Sequence, residues 1–127
     1  MNLKQVQGKS GEEIAVNFLK QEGYKIICRN FRCFQGEIDI IAQDKEEIVF
    51  VEVKTRTSVK YGEAKEAVDK EKQKHIYKTA EYFIYKTKIE ESHMRIDVIE
   101  VYIFNRQSKY KPYKTGSMKN IHFFQIL

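Results

Sequence analysis

The chain has 127 residues, 42% hydrophobic and 32% charged, a globular composition that excludes an intrinsically disordered chain. Lysine and arginine outnumber aspartate and glutamate by 23 to 18, and the resulting net charge of +5 suits a polyanionic partner without requiring one. No apolar run approaches the roughly 20 residues of a membrane-spanning helix, and residues 1–10 lack the apolar stretch of a signal peptide. We therefore predict a single cytoplasmic domain over residues 1–127, with Cys28 and Cys33 as reduced thiols.

The first half of the chain predicts one helix followed by strands. Apolar residues at helical spacing predict a helix over residues 11–22, with Ser10 as the N-cap of a capping box and Gly23 as the residue that ends it. Runs rich in β-branched and aromatic residues then predict strands; the runs are residues 24–29, 31–34, 36–43 and 48–54. Residues 44–46 suit a short hairpin connection between the last two runs.

The second half predicts a long helix and a further strand. After a polar, basic loop, an apolar stripe predicts a helix over residues 64–86. A strand over residues 95–104, an irregular loop, and an apolar tail over residues 121–127 that docks on the core complete the chain. The order α-β-β-β-α-β predicts an α/β fold with a mixed sheet flanked by helices. The long helix can act as a crossover, so the strand after it is expected to run parallel to an earlier one.

Charged and apolar residues alternate in the run over residues 36–43. Because side chains alternate along a strand, we predict Glu37 and Asp39 on one face and Ile38 and Ile40 on the other. Periodicity alone favours an ordinary amphipathic strand whose polar face meets water. However, this run and the next are nearly continuous in Ile, Val and Phe, which is typical of central strands covered on both faces, where charges need a function.

A metal site can be built from these strands. If they pair as a hairpin, Asp39 and Glu52 lie on the same side, and Lys54 follows two residues later on the face of Glu52. Clustered carboxylates repel one another, and a divalent cation relieves that repulsion. Mg²⁺ prefers oxygen ligands and takes one or two carboxylates plus phosphate oxygens. With Lys54 orienting water or offsetting charge, the three residues can serve metal-dependent phosphodiester hydrolysis.

Residues outside these strands are further candidates. Glu12 borders the inward face of the first helix, as an additional ligand or as a surface acid near a helix N-terminus. Lys72 and Gln73, on the second helix, can reach the strand cluster. A candidate phosphate-contacting surface, or a solvated charged face, comprises Arg56, Lys60, Lys65 and Lys72 with their basic neighbours. The three histidines show no metal-ligand spacing, and we assign them no chemistry.

Several motifs, in order along residues 8–104, resemble the YraN-like family of uncharacterised bacterial proteins. They are Gly8-x-x-Gly11-Glu12-x-x-Ala15, Arg29-Asn30-Phe31-Arg32, Gly36-Glu37-Ile38-Asp39-Ile40-Ile41-Ala42, Val49-Phe50-Val51-Glu52-Val53-Lys54-Thr55-Arg56 and Ala67-Val68…Lys72-Gln73. That family is similar to archaeal Holliday-junction resolvases, which belong to the restriction-endonuclease-like group named for the PD-(D/E)xK motif. Here Ile38 stands in place of the motif's proline, which has no chemical role.

The resemblance implies a restriction-endonuclease-like core and a DNA endonuclease that depends on Mg²⁺ or Mn²⁺. It further implies branched DNA as substrate and a homodimer. The residues to which it assigns catalytic roles are Asp39, Glu52, Lys54, Glu12 and Gln73. Of these, Asp39, Glu52 and Glu12 are the implied metal ligands.

Two other functions fit the sequence. The basic loop and the modest net charge suit a nucleic-acid-binding accessory protein that keeps the nuclease fold without turnover. Aromatic residues on the second helix also allow a protein-interaction module with contacts through Tyr77, Tyr82, Phe83 or Tyr85.

Overall fold

The computed structural model describes residues 3–56, 69–89, 93–103 and 121–125, which form two helices and one mixed sheet. The elements are α1 (Leu3–Gln21), β1 (Lys25–Cys33), β2 (Gly36–Asp44), β3 (Glu47–Arg56), α2 (Lys70–Thr87), β4 (His93–Tyr102) and β5 (Ile121–Gln125). Within these residues the strand order is β1-β2-β3-β4-β5; β3 and β4 are parallel, and the other neighbours are antiparallel. The predicted α/β class and element order are confirmed, and part of the apolar tail pairs with β4 as β5.

The two ends of α1 differ in how well the sequence predicted them. Ser10 lies inside the helix, so the prediction that it is an N-cap is wrong: a capping residue needs non-helical backbone, and here the helix continues on both sides of it. The C-terminal end is as predicted. Gly23 has φ 91°, and its N–H donates to the Lys20 carbonyl (3.1 Å) while the Tyr24 N–H donates to the Leu19 carbonyl (2.9 Å). This is a Schellman motif, in which the positive φ favours glycine.

α2 begins later than predicted. Asp69 has an extended backbone (φ −70°, ψ 174°), and its side chain accepts a hydrogen bond from the Lys72 N–H at 2.8 Å, so Asp69 is the N-cap. A continuous helix from residue 64 is therefore wrong, because it would have to pass through this extended residue; residues 57–68 themselves lie outside the described part of the chain. As expected, α2 connects two parallel strands, with β3 and β4 paired from Glu47↔His93 to Arg56↔Tyr102.

Both faces of the sheet are covered, and β3 shows it most directly. Val49 and Val51 point into a core beneath α1, which we call the α1-side core. Ile48 and Phe50 point into the α2-side core. The prediction of central strands buried on both faces is thus confirmed, and each fully buried aliphatic side chain contributes about 1.5–3 kcal/mol. Neither helix, as far as it is described, is long and apolar enough to cross a membrane.

Candidate functional site

β2 changes face at Asp39. Ile38 is buried in the α2-side core and Ile40 in the α1-side core, so the prediction that these two side chains share a face is wrong. The neighbouring strand is irregular at the same position. Asn30 on β1 stands across from Asp39, between regular pairs on either side, and its φ of 52° is left-handed. A non-glycine residue in this conformation interrupts the alternation of both strands.

The ladder between β2 and β3 ends at the same point. Its last pair is Ile40↔Val51, and beyond it Asp39 Oδ2 accepts a hydrogen bond from the Val53 N–H at 2.8 Å. The carboxylate thus takes the place of a backbone acceptor where the strands part. Glu52 is buried between Val51 and Val53, and its carboxylate lines the same cavity as that of Asp39. The structure therefore brings the two predicted acids to one side of the sheet.

Asp39 is an unusual acid in this position. Burial raises its pKa to about 7, and the charge of Glu52 adds to the effect, although the hydrogen bond from Val53 works in the opposite direction. Glu12 and Glu37 raise it further. Near neutral pH the Asp39 carboxyl consequently keeps its proton in a sizeable fraction of molecules, in contrast to an ordinary surface aspartate.

Lys72 supplies a positive charge to Glu52. Its Nζ lies 2.8 Å from Glu52 Oε1. Burial opposes the charged form of Lys72, but the hydrogen bond and charge of Glu52 outweigh it and raise the pKa of the ammonium. The prediction that Lys72 can reach the strand cluster is confirmed. Lys72 comes from the first turn of α2, and the Asp69 cap fixes where that turn begins.

A cavity of about 520 Å³ opens between β2, β3 and the first turns of α2. Its described lining comprises Gln35, Gly36, Glu37, Asp39, Glu52, Asp69, Glu71, Lys72, His75 and Ile76. Five of these are acidic and one is a lysine, so the cavity is locally negative in a chain whose net charge is +5. Asp69, Glu71 and His75 were not predicted to lie at the site; the available signal was their position within one helical turn of Lys72.

Glu12 reaches this region from the other side of the sheet. α1 packs tightly against the end of β3, where a Cβ on Gly11 would lie 2.0 Å from Thr55 Oγ1. Burial raises the pKa of the half-buried Glu12, whose carboxyl is hydrogen-bonded to the Asn30 side chain and lies close enough to Glu52 for repulsion. Among the side chains described, no three His, Cys, Asp or Glu converge closely enough to hold a metal. Glu12 is therefore an electrostatic neighbour of the Asp39–Glu52 pair in this conformation.

Two residues with implied catalytic roles lie beside the cavity without lining it. Lys54 is half-buried, two residues beyond Glu52 on β3, and its register partner on β4 is Glu100. Gln73 is half-buried on α2, next to Lys72. Their chemical roles stay predictions.

Arg56 is engaged by a buried carboxylate. Its guanidinium pairs with Glu100, which also accepts a hydrogen bond from the Tyr102 hydroxyl, and only 16% of the Arg56 side chain is exposed. A phosphate contact by Arg56 stays a prediction. In this structure the Arg56 guanidinium neutralises the charge of Glu100. Lys60 and Lys65, also predicted to contact phosphate, lie outside the described residues.

Comparison with known proteins shows the family to which the sequence around the cavity is similar. The model of the uncharacterised protein family UPF0102 matches residues 11–101, a span that includes every residue of the cavity lining. A UPF0102 protein of Caldicellulosiruptor saccharolyticus is 52% identical over 103 residues, which are 81% of this chain and 86% of that protein. One from Clostridium botulinum is 53% identical over 104 residues, 81% of this chain and 85% of the relative. These names state a family and no activity.

Proposed function

We propose that this chain, which belongs to the uncharacterised protein family UPF0102, is a divalent-metal-dependent endonuclease that hydrolyses phosphodiester bonds in DNA, including branched DNA. The family is the one that its motifs resemble. The proposed reaction is centred on Asp39 and Glu52, at the point where β2 and β3 part.

The observation that carries the proposal is the largely buried carboxyl of Asp39, which lies beside Glu52 and makes no salt bridge among the described residues. The three buried carboxylates of the described residues each have a cation partner: Glu52 with Lys72, Asp97 with Arg95, and Glu100 with Arg56. Asp39 takes part in no ion pair among the described residues, although it is largely buried beside Glu52. Such an arrangement costs folding free energy, and carboxyls whose pKa is strongly shifted cluster at functional sites.

The donor set fits a hard divalent cation. Asp39 and Glu52 supply two carboxylates to one cavity, and Mg²⁺ commonly binds through one or two carboxylates, with water and phosphate oxygens completing its shell. Mn²⁺ suits the same oxygen donors. When bound, the cation would polarise the phosphate and lower the pKa of a bound water.

The charge of the cavity supports the same assignment. A phosphate cannot approach five acidic side chains and one lysine without a strong electrostatic cost. A cation at Asp39 and Glu52 would reverse that balance locally. Lys72 would then offset charge on the substrate while it keeps Glu52 oriented, and Lys54 stands two residues along β3 for the role that the family motif implies.

The test is cleavage of a panel of labelled single-stranded, duplex, flapped and four-way DNA in Mg²⁺ or Mn²⁺. We expect cutting by the wild type and a loss of at least about 100-fold in Asp39→Asn and Glu52→Gln, the usual scale for removal of a charge-stabilising group at a catalytic site. Titration calorimetry should show Mn²⁺ binding to the wild type that both variants lose.

Asp44→Asn provides the matched control, since it makes the same change on the same strand, at the far end of β2. It should cut and bind cation as the wild type does. Equal activity in Asp39→Asn and the wild type, or no cutting of any substrate at high enzyme concentration, would refute the proposal.

A second function is favoured by one observation. The Lys72 ammonium already neutralises Glu52 at 2.8 Å, as a cation built into the chain. If that arrangement is permanent, the protein is a nucleic-acid-binding accessory protein without turnover. Salt-dependent binding of branched DNA, with no cation binding and no cutting, would identify this function.

A further inference from the structure

A row of aromatic rings runs from the core to the surface beside the cavity. Phe50 in the α2-side core meets Phe83 edge-on (5.9 Å between centroids, 80°), and Phe83 meets Phe31 in the same way (5.2 Å, 81°). Phe31 contacts Tyr82 at 6.3 Å, and Tyr82 meets Phe34 edge-on at 6.2 Å and 77°. The outer two rings, Phe34 and Tyr82, are thus supported by a packed interior and form what we call the ring platform.

The outermost ring, that of Phe34, is exposed to solvent. Phe34 lies in the turn between β1 and β2 and is 86% exposed. Full exposure of a phenylalanine forgoes about 1.5–3 kcal/mol of burial free energy, and a polar residue would serve a two-residue turn at least as well. An exposed aromatic ring that packs against Tyr82 is suited to bind a ligand that has a flat apolar surface of its own.

Positive charges flank the ring platform. Lys78, Tyr82 and Lys86 follow one another at four-residue intervals, so they form a single row along α2. The Lys86 Nζ lies 5.8 Å from the Tyr82 centroid, and both lysines are exposed. Rings between cations complement a chain of flat bases joined by phosphates.

The ring platform also lies close to the proposed reaction site. Gln35 and Gly36, which follow Phe34 directly, line the cavity that holds Asp39. Gly36 and Asp39 are three residues apart on β2, about 10 Å at the rise of a strand. Successive nucleotides of one strand advance about 3.4 Å along a duplex and farther when extended. A base on the ring platform would therefore belong to a nucleotide within a few positions of the phosphate at Asp39.

We propose that Phe34 and Tyr82, flanked by Lys78 and Lys86, stack against an unpaired base of the nucleic acid, so that the substrate class is DNA with single-stranded or unpaired nucleotides next to the cleaved bond. This inference rests on the proposed function, because it names the substrate of the same site. In a continuous duplex the base faces are covered by neighbouring bases, and a protruding ring has nothing to stack on. An unpaired base offers its face to an aromatic side chain whatever its sequence.

The charges oppose the other occupant of an exposed aromatic surface, a second copy of the chain. Self-association through the ring platform would bring Lys78 and Lys86 of one copy near those of another, and like charges repel. A nucleic-acid strand gains from the same two cations.

The test measures binding without cleavage. Labelled oligonucleotides of equal length, single-stranded or fully paired, are titrated with protein in EDTA. We expect Phe34→Ala and Tyr82→Ala to weaken single-strand binding about tenfold or more, the typical effect of losing one stacking ring. Duplex binding should change less than about twofold. Tyr77→Ala is the matched control: Tyr77 is 43% exposed on the same helix but lies on a different row, and its removal should leave both affinities unchanged.

A second variant keeps the test independent of folding defects. The chain has no tryptophan, so Phe34→Trp introduces a single indole while it preserves an aromatic ring. Its affinity for single strands should match the wild type, and single strands, but not duplex, should quench its fluorescence. Equal losses on both DNAs, unchanged binding in Phe34→Ala, or an unquenched indole would overturn the inference. So would a dimer that Phe34→Ala dissociates without altering DNA binding.

The outcomes separate the two proposals. If the wild type cuts DNA but Phe34→Ala binds single strands normally, the inference fails and the proposed function stands. If no DNA is cut and the rings still govern single-strand binding, the nuclease assignment fails and the ring platform stands as a binding surface for unpaired bases.

Discussion

Asp39 illustrates how a single residue can be placed by backbone irregularity. The left-handed Asn30 across from it and the end of the β2–β3 ladder leave its carboxylate to accept a hydrogen bond from the Val53 N–H. That bond favours the charged form, whereas burial and the charge of Glu52 favour the neutral form and prevail. Near neutral pH and without a bound cation, Asp39 therefore lowers the free energy of unfolding.

This cost predicts a pH dependence of stability. Asp39 is an acid whose pKa in the folded protein, about 7, lies above the unfolded value of 3.8, so the folded state binds its proton more tightly. The stability that the protonated Asp39 carboxyl contributes to the folded state is fully present below about pH 4 and is lost as the pH rises through 7. Without divalent cations, we expect Asp39→Asn to flatten this slope and to be about 1–3 kcal/mol more stable than the wild type at pH 8.

Denaturant unfolding from pH 4 to pH 8 checks this prediction. Asp44→Asn, at the hairpin end of the same strand, should retain the wild-type slope. If Mg²⁺ binds at Asp39, adding it at pH 8 should raise the Tm of the wild type but not that of Asp39→Asn. A parallel pH profile in wild type and Asp39→Asn would contradict the assignment of strain to this carboxyl.

At the scale of elements, the position of α1 depends on one close approach. Gly11 faces Thr55 so closely that a methyl group would meet its hydroxyl at 2.0 Å. This contact sets the next residue, Glu12, over the region where Asn30 and Glu52 lie. A glycine inside a helix lowers stability by about 1 kcal/mol relative to alanine. Here the missing side chain allows α1 to pack closely on the sheet.

We expect Gly11→Ala to destabilise the protein by about 1–2 kcal/mol, since overpacking strain outweighs the gain in helix propensity. In a Thr55→Ala background the hydroxyl is gone and the nearest remaining atom, the Cβ, lies 3.1 Å away, so the same substitution should be less destabilising than in the wild type. A double-mutant cycle by thermal unfolding measures the coupling. Additive effects of the two changes would show that the contact does not fix α1.

α2 contributes to two surfaces at once. Its first turn carries Lys72 to Glu52, and its middle carries Tyr82 to Phe34. The Asp69 cap sets the start of the helix, and the crossover from β3 to β4 sets its position over β2 and β3. The cavity and the ring platform are therefore positioned by the same helix and cannot shift independently.

At the scale of the whole molecule, the site lies on β3, the most protected strand of the described sheet. β3 is paired on both sides and covered by α1 and α2, while β1 lies at an edge of the described sheet and is partly exposed along its length. This central strand holds Glu52 and the Val53 N–H, whereas Asp39 comes from β2 at the point where its ladder with β3 has ended.

Amide hydrogen exchange tests this arrangement. The central β3 amides should exchange only through global unfolding, and roughly tenfold or more slowly than the amides of β1 that point away from β2. Exchange of β3 at the rate of β1 would show that the central strand opens locally and is not a rigid base for the site.

Local patterns in the sequence determined much of this protein. Alternating and continuous apolar runs predicted the strands, and the motif residues Asp39 and Glu52 were predicted on one side of a hairpin, where the structure places them. Gly23 was predictable as a helix end because only a flexible residue readily adopts its positive φ. These features depend on neighbours within a few positions, which a sequence displays directly.

Tertiary structure alone decided the rest. Nothing local predicts that Asn30 turns left-handed, that Ile38 and Ile40 point to opposite faces, or that Arg56 is taken up by Glu100. Each depends on residues brought together from distant parts of the chain, where packing and paired charge outweigh local preference. The charge balance of Asp39 is of the same kind, since Glu12 and Glu52, which raise its pKa, come near it only in the folded protein.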